Sequence, residues 1–309
     1  MNTILEIDRL TIDYHGEERT VRAVDAVSLQ MQSGEILGLA GESGSGKSTV
    51  AHAVMRLLSD SAQIVEGSIR FAGTDVVSLD RRELRAWRWN DVAMVFQSAM
   101  NSLNPLMRVG DQIVDVLRAH TVMSRSQARA RTAELLEGVR IPPDRMRSYP
   151  HQLSGGQRQR VVIAMACALE PRLLILDEPT TALDVVVQQE ILAQIRELQE
   201  SLGFAVLFIT HDMSLMLELS DRIGVMYRGR LVELAPATAM RTDSQHPYTR
   251  ALMNAFPPMT GPRVPLTGLA EGTRFVDIGD LEAVAPGHLV APSRTVDTAD
   301  EHSENEVPA

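Results

Sequence analysis

The chain has 309 residues, a formal net charge of −10 and one cysteine. This length suits one large α/β domain, or two small ones, with a sizeable core. The acidic balance argues against a general nucleic-acid binder, and a single cysteine excludes a disulfide framework or a four-cysteine metal or iron–sulfur site.

The N-terminal residues carry Glu6 and Asp8 where a signal peptide would be positively charged. No apolar run approaches the ~18 residues of a membrane span. The expectation is a soluble chain whose membrane role, if any, comes through a partner. Residues 3–12 alternate apolar and polar, as a half-buried strand does. Tyr14 and His15 are placed in a following loop. Val21–Gln32 reads as one or two strands ending at the Ser33-Gly34 turn, so an antiparallel edge should precede the next element.

Ile36–Ala40 is a short, fully apolar strand, and Val50–Leu58 reads as a helix. Between them lies Gly41-Glu42-Ser43-Gly44-Ser45-Gly46-Lys47-Ser48-Thr49, a G-x-x-x-x-G-K-[ST] loop in strand–loop–helix context. Gly41, Gly44 and Gly46 let backbone N–H groups close around phosphate oxygens, and the helix N-terminus adds a positive dipole end. Ser43 and Thr49 belong to the same cradle. Lys47, the only lysine in the chain, should reach the β- and γ-phosphates, and Ser48 should bind Mg²⁺.

Glu66–Phe71 and the Gly73 turn give a short hairpin. Arg81–Trp89 is basic and helix-prone, and Asp91–Phe96 is a buried strand closed by Gln97. From 98 to 168 the pattern is helical: Val109–His120, Ser124–Gly138 and Gly155–Leu169, with Cys167 as a packed core residue that fits a reducing cytoplasm. Strand–helix alternation then resumes through Leu173–Leu176, Val185–Leu202, Ala205–Ile209 and Ser214–Leu219. Ile223–Tyr227 and Leu231–Leu234 form a hairpin around Arg228-Gly229. This implies a mostly parallel sheet with helices on both faces. The domain reading is a nucleotide-binding α/β core at 1–97 and 169–235, a helical subdomain at 98–168 and a C-terminal extension at 236–309. Tyr248, Leu252 and Phe256 recur at helical spacing and should pack on the core. Residues from Ala285 onward read as a disordered acidic tail.

Three further constellations carry chemistry. Leu173–Leu176 runs into Asp177-Glu178, which places one carboxylate near a metal and one near an attacking water, as phosphoanhydride hydrolysis requires. His211 ends another strand, where it can meet a γ-phosphate or hold the water-polarising acid. Ser154-Gly155-Gly156-Gln157 opens a helix as a second anion cradle. One nucleotide does not need two such cradles, so this one should serve a nucleotide bound mainly by a second subunit.

Taken together, residues 3–235 resemble an ATP-binding-cassette (ABC) ATPase. The motifs stand in the family's order: phosphate loop, Gln97, Leu153–Gln157, Asp177-Glu178, Ala182-Leu183-Asp184 and His211. The resemblance implies a P-loop NTPase fold: a mixed sheet with an antiparallel β edge, a helical insert and a short C-terminal extension. It implies a head-to-tail pair of cassettes holding two ATPs, with Mg²⁺. Tyr14 would stack on adenine, Gln97 would contact Mg²⁺ and the membrane partner, Asp184 would lie at the nucleotide sandwich, and Glu178 would act as general base beside His211.

Gln97–Pro105, Tyr149–Gln152 and His246–Leu252 resemble segments of the dipeptide and oligopeptide importer branch. That branch implies two transmembrane permease subunits, a second ATPase subunit (paralogous or identical) and an extracytoplasmic solute-binding protein. The chain would sit peripherally on the cytoplasmic side of the cell membrane. Many members carry a C-terminal cysteine cluster; no cysteine follows Cys167 here, so no iron–sulfur cluster is expected. The branch also takes oligosaccharides, nickel and glutathione. Two rival classes are a cassette ATPase acting on DNA or ribosomes, disfavoured by the acidic charge, and a non-hydrolysing regulatory cassette, disfavoured by Glu178 and His211.

Overall fold

Every residue of Ile36–Ala40 is buried, and the fold is built outward from this strand. The structure is a computed structural model describing residues 2–97, 99–181, 183–255 and 273–297. In chain order it forms β1 (Thr3–His15), β2 (Thr20–Gln32), β3 (Ile36–Ala40), α1 (Lys47–Val54), β4 (Ala62–Phe71), β5 (Thr74–Asp75), α2 (Arg81–Asn90) and β6 (Val92–Val95). A helical stretch follows: α3 (Val109–His120), α4 (Arg125–Gly138) and α5 (Gly155–Ala166). Then come β7 (Leu173–Asp177), α6 (Val185–Leu202), β8 (Ala205–Ile209), α7 (Met213–Leu219), β9 (Arg222–Tyr227) and β10 (Arg230–Pro236). The chain ends in α8 (Ala237–Asp243), α9 (Pro247–Asn254), β11 (Thr273–Val276), β12 (Glu282–Ala285), β13 (His288–Val290) and β14 (Arg294–Asp297).

The main sheet has the order β12-β13-β10-β9-β3-β8-β7-β6. Strands β9, β3, β8, β7 and β6 run parallel, and β10, β13 and β12 extend the sheet antiparallel. Side chains alternate across a strand, so β3 serves two cores at once. Ile36 and Ala40 face one core with residues of α3–α6. Leu37 and Leu39 face another that holds α1 and the apolar faces of β1, β2 and β4. Strands β7 and β8 divide in the same way, which explains why their sequences are apolar throughout rather than alternating.

Several expectations are corrected. The early antiparallel strands are not an edge of the main sheet; they form a separate four-stranded sheet of order β2-β1-β4-β5. Alternation shows that one face of a strand is buried, not which sheet it joins. Tyr14 and His15 are not in a loop but end β1, where Tyr14 is paired with Val21 and Ala62. The expected disordered tail from 285 onward is also overturned for residues 286–297, which include β13 and β14. Strand β13 pairs with β10, and its His288 is buried with Nε2 2.7 Å from the buried Glu233 carboxylate. Residues 286–297 carry one acid, Asp297, and one base, Arg294, and two contacts distant in sequence hold them. Tyr248 is buried and Leu252 packs on the helical-side core. Ser98, Ala182, Phe256 and residues 298–309 lie outside the described residues.

The start of α9 generates two predictions. His246 caps the helix, its Nδ1 accepting from Tyr248 N at 3.1 Å. Burial drives this imidazole from 6.5 down to about 4, against the pull of Glu233 and with the push of Arg250. Between those values the unfolded chain binds a proton that the folded chain refuses. Stability should therefore fall as pH drops from about 6.5 to about 4, on the order of 3 kcal/mol in all. A His246→Asn variant, which keeps a capping oxygen, should show a flatter Tm–pH curve between pH 7 and 5; an unchanged slope would remove His246 from this role. Deleting 286–309 removes β13, β14 and the His288 contact, and should lower Tm by several degrees. A truncated chain melting with the full one would show that these strands add nothing.

Candidate functional site

The loop after β3 is shaped by glycines that no other residue can replace without strain. Gly41 (φ +143°) and Gly46 (φ +102°) lie in the region that favours glycine. A Cβ on Gly41 would stand 2.2 Å from the Met226 carbonyl oxygen, and one on Gly46 would stand 2.4 Å from that of Ala23. Gly44 (φ +78°) has open space around it. Gly46 then opens α1 with no side-chain cap, so the first N–H groups of this helix remain free to meet an anion.

Lys47 is buried, and its Nζ donates to the Gly41 oxygen at 2.8 Å, the Glu42 oxygen at 2.7 Å and Ser45 Oγ at 3.2 Å. Burial holds the ammonium below its usual range, and Glu178, Asp177 and Glu42 oppose that shift. Beneath it, Ser48 Oγ donates to Asp177 Oδ1 at 3.0 Å. Asp177 is buried at the end of β7, which raises its pKa; the Ser48 bond acts the other way. A carboxylate with a desolvation penalty and a hydroxyl beside it are hard oxygen donors that suit a divalent cation. No cluster of three or more His, Cys, Asp or Glu able to hold a metal occurs among the described residues. A hydroxyl beside a carboxylate suits Mg²⁺, which takes one or two protein oxygens and completes its shell with phosphate and water.

Glu178 follows with φ +50°, unusual for a residue with a side chain and on the order of 1–3 kcal/mol in cost. Its N–H donates to the Ile209 oxygen at 2.9 Å, which ties the turn to β8. Its carboxylate accepts from the His211 backbone N–H at 3.2 Å and from Thr181 Oγ1 at 3.0 Å. His211 Nδ1 lies 2.8 and 2.9 Å from the two carboxylate oxygens. An ionised carboxylate only accepts, so this nitrogen carries the proton.

A cavity of about 600 Å³ brings these groups together: Ser43, Gly44, Gly46, Lys47, Ser48, Thr49, Gln97, Glu178 and His211, with Ala23 of β2. Gly41 and Asp177 lie buried beside it. Tyr14, Asp184 and Ser154–Gln157 are not among its lining residues. Asp184 caps α6, accepting from Val187 N at 3.0 Å. Ser154 and Gln157 form a capping box on α5, with bonds of 3.2 and 3.1 Å. That box satisfies the N–H groups of Ser154 and Gln157; those of Gly155 and Gly156, at the first two helical positions, have no acceptor within the helix.

The family model described as "ABC transporter" matches residues 24–181. The chain belongs to the ABC transporter family. It is 46% identical over 82% of its length to "Probable peptide ABC transporter ATP-binding protein y4tR" of Sinorhizobium fredii, covering 77% of that protein. It is 44% identical over 89% of its length to "Probable D,D-dipeptide transport ATP-binding protein DdpD" of Escherichia coli, covering 88% of that protein. Among solved structures, the ADP- and Pi-bound dimer of the ATP-binding cassette MJ0796 matches with TM-score 0.68 and 29% identity, over 76% of this chain and 99% of that one. The cassette is thus an ATP-binding ATPase of known fold.

Motif spacing did not reveal Thr181, which bonds the Glu178 carboxylate, or Ala23, which walls the phosphate loop. Nor did it reveal Tyr248, whose hydroxyl accepts from Glu42 N at 3.1 Å across 206 residues of sequence. The Ala23 and Tyr248 contacts depend on tertiary packing and leave no local signal, whereas Thr181 lies only three residues from Glu178.

The loop geometry separates two glycines that look alike in the motif. Gly41→Ala should lose Mg·ATP binding at least tenfold and melt lower, because both φ and the Met226 carbonyl oppose a Cβ. Gly44→Ala meets open space and should cost only roughly 1–2 kcal/mol for its backbone conformation. Thermal melts of both full-length variants, with and without nucleotide, test this; equal shifts would refute the assignment of strain.

Proposed function

We propose that this cassette is the ATP-hydrolysing subunit of a multi-subunit importer for di- or oligopeptides. The observation that carries the hydrolytic reading is one cavity faced by Lys47, Ser48, Gln97, Glu178 and His211. The peptide cargo is supported by the names of the relatives above. The partners are two transmembrane permease subunits, a second ATPase subunit and an extracytoplasmic solute-binding protein. No helix among the described residues is long and apolar enough to cross a membrane, so docking on the permeases at the inner membrane face supplies the coupling.

The β- and γ-phosphates enter over the free N-terminus of α1, and Lys47 leaves the Gly41 and Glu42 carbonyls to meet them. Ser48 and Gln97, with Asp177 hydrogen-bonded to Ser48, would hold Mg²⁺, which when bound would supply neutralisation of charge on the phosphate oxygens. Glu178 takes the proton of the attacking water. His211 fixes the Glu178 carboxylate from one side and Thr181 from the other, so the base is oriented before substrate arrives. Tyr14 stacks on adenine. The signature Ser154-Gly155-Gly156-Gln157 and Asp184 complete the ATP site of the partner cassette, with the unspent Gly155 and Gly156 N–H groups aimed at its γ-phosphate.

Glu178→Gln should keep Mg·ATP affinity and lower steady-state phosphate release on the order of 10²–10⁴-fold. The measurement pairs phosphate release with equilibrium nucleotide binding. Turnover at the wild-type rate in this variant would remove Glu178 from the role of base.

A further inference from the structure

We propose that Tyr248 of α9 is a positioning residue for the ATP site, acting through the Gly41–Glu42 peptide unit of the phosphate loop. The two polar ends of this one peptide are both held. The Gly41 carbonyl accepts from Lys47 Nζ at 2.8 Å, and the Glu42 N–H donates to the Tyr248 hydroxyl at 3.1 Å. When Lys47 turns to a phosphate, it releases the carbonyl. The Tyr248 hydroxyl is then the side-chain anchor that keeps the peptide from rotating, at the glycine where the loop leaves β3.

The anchor itself is built to stay still. Tyr248 is buried, its ring centroid 4.6 Å from that of Tyr227 and 6.1 Å from that of Phe275. Burial pushes its hydroxyl up to about 12, so it remains a neutral phenol at any working pH. The first turn of α9 is fixed from the antiparallel side of the main sheet. The buried Glu233 on β10 accepts from Gln245 N at 2.7 Å and from His246 N at 3.0 Å, and lies 2.7 Å from His288 Nε2. His246 Nδ1 is an acceptor for Tyr248 N, so its proton sits on Nε2 and is given to Ser293 Oγ at 2.8 Å. A continuous set of buried and half-buried bonds thus links the C-terminal segment to the first peptide of the phosphate loop. Packing alone would need only the ring of Tyr248; the hydroxyl is spent on the loop.

The test uses the full-length chain, Mg²⁺ and a fluorescent ATP analogue. Wild-type binding, measured first, tests the nucleotide site itself; the variants test Tyr248. Tyr248→Phe keeps the ring and removes the hydroxyl. Its Kd should rise about three- to tenfold, the range that one intramolecular hydrogen bond spans, while Tm without nucleotide stays within about 2 °C. The hydrolytic KM for ATP should rise with it and kcat should stay within about twofold. Leu252→Ala on the same helix removes a side chain that packs on the helical-side core and should lower Tm with Kd unchanged. Should Tyr248→Phe fold poorly, Ser293→Ala, at the far end of the bond chain, should still raise Kd by about twofold. A wild-type Kd for Tyr248→Phe, or equal Kd shifts for Tyr248→Phe and Leu252→Ala, would overturn the proposal.

Discussion

A buried ammonium whose hydrogen bonds all go to its own loop is the constraint on which this site rests. Lys47 donates to two carbonyls and a hydroxyl, with no carboxylate in direct contact among its bonds. Carbonyls satisfy its donors but do not neutralise its charge, and burial penalises that charge. The field of Asp177, Glu178 and Glu42 offsets part of the penalty. The site is therefore held ready for a compact anion, which offers Lys47 what the loop cannot. The tight glycine turns follow from the same need, because the carbonyls reach Nζ only when the loop curls back on the start of α1.

Sheet order then determines which groups share the cavity. Adjacent parallel strands β3, β8, β7 and β6 end at the phosphate loop, His211, Asp177-Glu178 and Gln97. In a parallel sheet all carboxyl ends lie on one edge, so four segments spread over 170 residues of sequence meet at one rim. The register adds detail. Asp177 is paired with Ile209, so the next residue, Glu178, can donate its N–H to the Ile209 carbonyl while its side chain meets His211 two residues further on. The strained φ of Glu178 is the cost of that turn.

Much of this was legible in the sequence, for a physical reason. β3, β7 and β8 are buried on both faces and read as unbroken apolar runs, and the phosphate loop has a composition that little else requires. The sequence places α6 at Val185–Leu202, and in the structure Asp184 caps it and Gly203 ends it in a left-handed turn. What was not legible depends on partners distant in sequence. The alternation of β1 and β2 could not say that they form a sheet of their own. Tyr14 looked like a loop residue because the following Gly16-Glu17-Glu18 is polar, yet pairing with both Val21 and Ala62 extends the strand through it. The acids after Ala285 lie almost all beyond Asp297, and a buried His288–Glu233 contact and pairing with β10 hold β13 in place. Composition averages over such contacts and cannot see them.

Helix N-termini show the same economy in fold and function. Each helix begins with N–H groups that lack an intrahelical acceptor. In α5, α6 and α7 one or two of these are met by the side chains of Ser154, Asp184 and Asp212. In α1 they are not: its cap is Gly46, which has no side chain to offer. The motif needs a glycine there because of the Ala23 carbonyl, but the same glycine leaves the dipole end of α1 unsatisfied. A serine or aspartate at that position would cap the helix and fill the cradle with its own oxygen. With no side chain of its own over the cradle, the start of α1 can receive phosphate, and its missing stabilisation is returned when the nucleotide binds.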